Sequence, residues 1–79
     1  SPKAKKLSYK FQKEFDELPQ KIEALELKLE VLQTATNAGD FYSQSASHVE
    51  KKLQELAHVQ QELDECFERW AELEDMQQE

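Results

Sequence analysis

Apolar residues recur at alternating steps of four and three along the first half of this sequence. They lie at Phe11, Phe15, Leu18, Ile22, Leu25, Leu29 and Leu32. Such a heptad repeat puts one narrow apolar stripe along a helix, and a helix of this kind needs a partner that covers the stripe. Leu, Glu, Lys, Gln and Ala dominate the remainder, and all of them favour helices. The repeat therefore predicts an all-α fold.

A second stripe with the same steps follows in the second half of the chain. Its predicted members are Val49, Leu53, Leu56, Gln60, Leu63, Phe67 and Trp70, with Gln60 as a polar break that fixes the register. Between the stripes lies TNAGDFYSQSAS, which holds the only glycine and many turn-forming residues. Two stripes joined by a short polar loop predict a two-helix antiparallel coiled-coil hairpin over 8–79.

Proline and glycine set the predicted boundaries within this hairpin. Pro19 lacks a backbone N–H, so we expect the first helix to be interrupted at Pro19. Gly39 is expected to end the first arm with a positive φ. The predicted helices cover 9–18, 20–36 and 47–76, and the loop covers 37–46.

Serines are the expected caps of the two arms. Ser8 is the predicted N-cap of the first helix, and Ser47 with Glu50 three residues later matches a capping box for the last. Phe41 and Tyr42 in the loop are expected to fold over the looped end of the stripes. The ends of both arms are therefore predicted from short local patterns.

Folding about the loop pairs residues whose numbers sum to about 82 in a two-helix hairpin. In this register Phe15 meets Phe67, and Phe11 meets Trp70. The four rings would gather beside the two chain termini, and each aromatic side chain can bury about 150–250 Å². We therefore expect the heaviest packing at the open end of the hairpin.

Charge divides the chain into a basic head and an acidic body. The sequence holds ten Lys and Arg against seventeen Asp and Glu, a net charge of −7, yet five lysines and no acid fall within the first thirteen residues. Two explanations are open. The lysines can pair with the acidic C-terminal residues across the open end, where an exposed pair contributes about 0–1 kcal/mol. They can instead contact nucleic-acid phosphates, with Tyr9 stacking on an unpaired base. Charge alone favours the first explanation.

The candidate nucleic-acid-binding residues share a basic side chain or an exposed aromatic ring near the open end. They are Lys3, Lys5, Lys6, Tyr9, Lys10, Lys13, Lys21 and Arg69.

Motifs for catalysis do not occur in the sequence. It has no glycine-rich phosphate loop, no HExxH, no CxxC and no GxSxG, so we expect no enzyme activity, catalytic residue, metal site or cofactor. His48 and His58 are interpreted as solvent-facing helix residues. No run of about 18 apolar residues is present, so we expect no membrane span. The single cysteine, Cys66, fits a reducing compartment, and we expect a cytoplasmic monomer.

Three stretches resemble one known protein family. KLSYKFQKEFDELPQKIEALE, GDFYSQ and FERWAELE are similar to the start, the turn and the close of the C-terminal coiled-coil domain of Uup-like proteins, which are ABC-F family ATPases of bacteria. The LSYK stretch, the Leu18-Pro19 pair and the ERW stretch are not required by a heptad, so the resemblance is specific. It covers residues 6–75, nearly the whole chain.

The resemblance implies a function that the spacing does not show. The parent proteins carry two nucleotide-binding domains, and none of their ATP-binding motifs is present here, so this chain would be a domain without ATPase activity. It would bind DNA without sequence specificity, through phosphates and its lysine-rich N-terminal patch. SPKAKK looks like the tail of a lysine-rich linker, so 1–7 would be a linker remnant.

The resemblance also implies further partners. These are branched DNA, the ribosome or RNA, and the ATPase domains of the same parent chain, with no membrane. An alternative function is therefore a structural or protein-interaction arm, which positions the parent ATPase domains or docks on the ribosome.

Overall fold

A computed structural model describes residues 7–77 as two long helices joined by a short turn. Helix α1 runs Tyr9–Thr36, helix α2 runs Ala46–Gln77, and one 3₁₀ turn, Phe41–Ser43, lies between them. The helices are antiparallel, because Glu14 near the start of α1 bonds to Arg69 near the end of α2. The prediction of an all-α helical hairpin is confirmed. We call the end that holds both termini the base and the end that holds the turn the tip.

Pro19 lies inside α1 and does not divide it. The prediction of separate helices over 9–18 and 20–36 is wrong, since one helix runs through the proline. A proline within a helix removes one hydrogen bond and crowds the preceding turn. Phe15, Leu18 and Ile22 flank Pro19 and all pack in one core cluster at the base. This packing on both sides keeps the helix continuous.

Both helices begin at a serine cap, although only one of the two serines was predicted. The Oγ of Ser8 accepts a hydrogen bond from the Phe11 N–H at 3.4 Å, as expected. At the start of α2, the Oγ of Ser45 accepts a hydrogen bond from the His48 N–H at 3.2 Å. The predicted capping box at Ser47 is wrong, because Ser47 already lies within α2.

The turn at the tip closes without a left-handed residue. Gly39 does not have the positive φ that the sequence predicted. Backbone hydrogen bonds close the chain instead, from the Asn37 N–H to the Gln33 carbonyl and from the Phe41 N–H to the Ala38 carbonyl, both at 3.0 Å. Phe41 is only 1% exposed, whereas Tyr42 is 70% exposed. Of the two rings expected to cover the tip, Phe41 alone does so.

The apolar stripe of α1 matches the prediction, and the stripe of α2 does not. All seven predicted α1 positions, from Phe11 to Leu32, are buried or half-buried. In α2 the buried residues are Val59, Leu63, Cys66 and Leu73. Three predicted members of the stripe are exposed instead, namely Leu53, Gln60 and Phe67. In place of Gln60 and Phe67 the buried residues are Val59 and Cys66, each one position earlier in the chain.

The base is held by stacked rings, one of which differs from the predicted partner. Phe15 stacks on Trp70 with ring centroids 5.5 Å apart and planes 20° apart. The predicted pair of Phe15 with Phe67 is therefore wrong, because Phe67 is exposed and Trp70 stacks on Phe15 instead. Phe11 and Trp70, also predicted to meet, both pack against the same core cluster. Leu18, Cys66 and Leu73 form the buried centre of this cluster.

The hairpin is only one helix pair thick, with short dimensions of 16 Å by 16 Å. Its outer flanks therefore face solvent along its length. No helix within residues 7–77 has the length and hydropathy needed to cross a membrane.

Candidate nucleic-acid interface

The antiparallel pairing gives the hairpin two flanks along the line where the helices meet. In the observed register Glu14, Lys21 and Lys28 recur every seven residues on one flank of α1. Glu14 bonds to Arg69, so α2 presents Arg69 on the same flank. A hollow lined by Lys21, Glu62 and Arg69, among others, shows that the flank continues past this pair.

Basic residues are confined to this flank in the part of the chain that the structure describes. Lys3, Lys5 and Lys6 lie outside the described residues, which leaves seven of the ten Lys and Arg. Six of these seven lie on the flank that holds Glu14 when successive residues are placed 100° apart around each helix. The seventh, Lys52, lies in the stripe of α2, and its Nζ is 3.5 Å from Oε1 of Glu55 on the same flank. We call this the basic flank. Its six members are Lys10, Lys13, Lys21, Lys28, Lys51 and Arg69.

The opposite flank carries only acids among its charged residues within 7–77. Pro19, Ile22, Glu23, Glu26, Phe67 and Trp70 line one hollow there. We call this the acidic flank, and its α1 carboxylates are Asp16, Glu23, Glu26 and Glu30. The charged residues within 7–77 are therefore distributed unevenly around the hairpin.

Three of the predicted site residues share one surface near the base. Lys10, Lys13 and Lys21 line a single hollow of about 370 Å³ together with Glu14 and Glu17. All three lysines are exposed. The structure therefore brings these three together, with their ammonium groups able to reach a common ligand.

Tyr9 lies in the first turn of α1 and is 82% exposed. It faces outward, on the side of α1 away from α2, so it is adjacent to the three lysines without lying between them.

Arg69 is engaged within the hairpin. Its Nε and Nη2 donate to the two carboxylate oxygens of Glu14 at 2.8 and 3.0 Å, and its Nη1 donates to Glu72 at 3.2 Å. Its guanidinium carbon also lies 5.4 Å from the centroid of the Phe11 ring. A bidentate pair of this kind fixes the geometry of both side chains. Arg69 therefore clamps α2 to α1 at the base.

The clamp shifts the protonation equilibria of both partners. Hydrogen bonds from Arg69 hold the pKa of Glu14 below its ordinary value of 4.5, with the charges of Arg69, Lys10 and Lys21 acting in the same direction. The hydrogen bonds to Glu14 and Glu72 raise the pKa of Arg69 above its usual value, which is already high. Both groups are thus charged at neutral pH.

The list of candidate residues left out the lysines of the basic flank that lie nearer the tip. Lys28 follows Lys21 by seven residues, so it occupies the same place one heptad later. Lys51 and Lys52 reach the same flank from α2. The heptad spacing indicates Lys28, and antiparallel pairing of the two predicted stripes already places Lys28 near Lys52, with Lys51 adjacent.

Comparison with known proteins agrees with this architecture. The family described as ABC transporter C-terminal domain matches residues 6–75. The chain is 49% identical over 69 residues to the ATP-binding protein Uup of Escherichia coli strain K12, which covers 87% of this chain and 11% of that protein. It is 45% identical over 74 residues to the ATP-binding protein Uup of Haemophilus influenzae, which covers 94% of this chain and again 11% of the relative. The chain thus spans about a tenth of the length of these relatives.

One solved structure is also similar. It is described as the C-terminal domain of the Uup protein, a DNA-binding coiled coil motif. It superimposes with a TM-score of 0.83 at 46% identity, covering 90% of this chain and 84% of that chain. The resemblance to the Uup C-terminal domain, predicted from three short stretches, is confirmed.

Proposed function

This chain belongs to the ABC transporter C-terminal domain family, and we propose that it binds DNA through the phosphate backbone without reading base sequence. The observation that carries the proposal is the confinement of basic residues to one flank, described above. The similar solved structure of a DNA-binding coiled coil adds support.

Segregation of charge is what allows an acidic protein to approach DNA. With evenly spread charges, a net charge of −7 would repel the phosphates at every orientation. Here the basic flank presents lysines interspersed with Glu14, Glu17, Glu62 and Glu65, whereas the charged residues of the acidic flank within 7–77 are all carboxylates. Lysine contacts to phosphate release counterions and carry no sequence information. This favours binding that is nonspecific and strongly dependent on salt.

The proposed contact surface is centred on the base. Lys10, Lys13 and Lys21 share one hollow there, and Lys3, Lys5 and Lys6 precede it in sequence. Tyr9 is exposed beside them and can stack on an unpaired base. Arg69 holds the base together and does not contact DNA in this proposal, because its N–H groups already donate hydrogen bonds to Glu14 and Glu72.

The test is fluorescence anisotropy of labelled single-stranded, duplex and branched DNA over a range of salt. We expect the logarithm of the affinity to fall linearly with the logarithm of the salt concentration. Replacing Lys10, Lys13 and Lys21 by Gln should weaken binding to all three DNAs and reduce the salt slope by about one per lysine that contacts a phosphate. A variant with Lys3, Lys5 and Lys6 replaced by Gln tests the preceding lysines in the same way.

The matched control replaces Lys28, Lys51 and Lys52 by Gln. It removes the same number of charges from the same flank at the end away from the base, so it separates position from net charge. Equal losses of DNA affinity in both variants would mean that DNA contacts the whole basic flank and not only the patch at the base. An unchanged salt slope after replacement of Lys10, Lys13 and Lys21, with helicity retained, would overturn the proposal.

A second candidate function is an interaction arm that positions the parent ATPase domains or docks on the ribosome. It is favoured by the exposed ring of Tyr42 at the tip, which borders an open hollow of about 610 Å³ beside Val49 and Leu53. A Tyr42→Ala variant of the full-length parent tests it. Loss of the parent's function with DNA affinity unchanged would favour the arm, and retention of function would count against it.

A further inference from the structure

Phe67 lies outside the core although it is one of the largest apolar residues in the chain. It is 47% exposed on the acidic flank, where it borders a hollow with Ile22 and Trp70. The hollow measures about 420 Å³ and has an apolar floor formed by residues of both helices. The hairpin thus leaves apolar surface open on the flank that its lysines do not occupy.

The apolar surface of α2 is wider than a two-helix pairing requires. A pair of helices needs only the two stripe positions of each heptad, whereas a helix with a third apolar position has a neighbour on that side as well. In α2 this third position is held by Leu53, Gln60 and Phe67, so it is apolar at two places about 21 Å apart and polar between them. Leu53 and Phe67 are exposed large hydrophobic residues. At Phe67 the apolar surface of α2 therefore extends beyond its contact with α1 and is open to a third helix.

Charge identifies what kind of helix fits this groove. Glu23 and Glu26 form its rim, and Asp16 and Glu30 extend the same row along α1. No Lys or Arg among residues 7–77 lies on this flank. Carboxylates there repel phosphate and attract cations, so nucleic acid is excluded as the occupant. A cation held by Glu23 and Glu26 would lie close to two aromatic rings, which favours it further.

We propose that the acidic flank binds a lysine- or arginine-rich amphipathic helix of a partner protein. The apolar side of this helix lies on Ile22, Phe67 and Trp70, and its basic residues meet Glu23 and Glu26. DNA and the partner helix use opposite flanks, so the proposal does not depend on DNA binding.

Trp70 provides a direct measurement, because it is the only tryptophan and lines the groove itself. The probe is a synthetic peptide of about 18 residues that contains only Leu and Lys at helical spacing. We expect it to shift the Trp70 emission saturably. A peptide with each Lys replaced by Glu should cause no shift.

Two variants locate the binding site. Replacing Glu23 and Glu26 by Gln keeps every apolar contact and should weaken the peptide about fivefold. Phe67→Ser removes the exposed anchor and should weaken it about tenfold or more. The matched control replaces Glu17 and Glu65, two exposed acids of the basic flank, by Gln. Glu17 and Glu65 border hollows of the opposite flank, so their side chains should not contact the peptide and its affinity should stay within about twofold.

Several results would overturn the proposal. They are the absence of a Trp70 shift, equal binding of the Glu peptide, and a loss in the Glu17 and Glu65 control as large as in the groove variant. Sedimentation that shows a dimer abolished by Phe67→Ser would also overturn it, because the occupant would then be a second copy of this chain. Circular dichroism of each variant confirms that the hairpin is intact.

Discussion

The base and the tip of the hairpin are both closed by aromatic residues, but in different ways. At the tip one ring, Phe41, is 1% exposed and Tyr42 lies edge-on against it, with centroids 4.9 Å apart. At the base Phe15 and Trp70 stack and remain half-buried. An ionic clamp between Arg69 and Glu14 spans the two helices beside them.

Chain connectivity explains the difference. At the tip the backbone passes from one helix to the other, so a residue of the connection is held over the end of the stripes and can be fully buried. At the base the chain leaves in two directions, and only side chains of the helices themselves can close the end. At the base, several half-buried rings and a charged pair therefore close the end, whereas one buried ring closes it at the tip. We expect the stability of the tip to depend on a single apolar residue, and the stability of the base to depend on charge and pH.

The largest effect is expected from Phe41→Ala at the tip. Removing a fully buried phenylalanine costs about 3–5 kcal/mol, a large part of the stability of a small domain. Tyr42→Ala, next to it in the chain and 70% exposed, should change stability by less than about 0.5 kcal/mol. Urea denaturation followed by circular dichroism measures both. Equal losses from the two substitutions would mean that Phe41 does not close the tip.

A smaller effect, dependent on pH, is expected from Glu14→Gln at the base. The clamp holds the pKa of Glu14 below 4.5 in the folded state, so its contribution is fully present above pH 4.5 and is lost as the pH falls through the lowered pKa. The melting temperature of the variant should lie a few degrees below that of the unsubstituted hairpin at pH 7, and the difference should vanish in acid. Thermal melts across this range test the prediction.

Glu17→Gln is the control for the clamp, since Glu17 is an exposed acid one turn further along α1. Its melting temperature should follow that of the unsubstituted hairpin through the same pH range. If the difference in melting temperature between Glu14→Gln and the unsubstituted hairpin persists unchanged into acid, the clamp acts by shape and not by charge.

The smallest effect is expected from Gly39→Ala in the connection. Gly39 lacks a positive φ, and a Cβ added there would meet nothing within 4 Å. Alanine should therefore stabilise the hairpin by about 0.4–1 kcal/mol, because it restricts the unfolded chain. Urea denaturation measures the change. A loss of stability would mean that the turn needs glycine, contrary to the observed backbone.

Much of the fold could be read from local patterns. The stripe of α1 was predictable because its seven apolar residues keep steps of four and three throughout, whereas Leu27 and Val31, which are exposed, do not extend into a series of that length. The cap at Ser8 and the aromatic base followed from the same kind of signal. Pro19 misled the boundary prediction because the cost of a proline is local, whereas the packing of Phe15, Leu18 and Ile22 across it is tertiary.

The stripe of α2 could not be predicted in the same way because two stripes overlap there. One runs through Gln60 and Phe67 and the other through Val59 and Cys66, with Leu63 and Trp70 in both. Size favours the first stripe, because Phe67 is the larger residue. The observed stripe is the one that brings Arg69 onto Glu14 and places Glu62 in the same hollow as Lys21. The numbers of both pairs, 14 with 69 and 21 with 62, sum to 83.

The sequence by itself determined that the chain forms two helices, that they fold back on each other, and that lysines gather toward one end. Only the tertiary structure decided which face of α2 turns inward. That choice places Arg69 in a clamp, leaves Phe67 on the acidic flank and confines the described basic residues to the other flank. Periodicity is a property of neighbouring residues, whereas register depends on pairs such as Glu14 and Arg69, which are 55 positions apart.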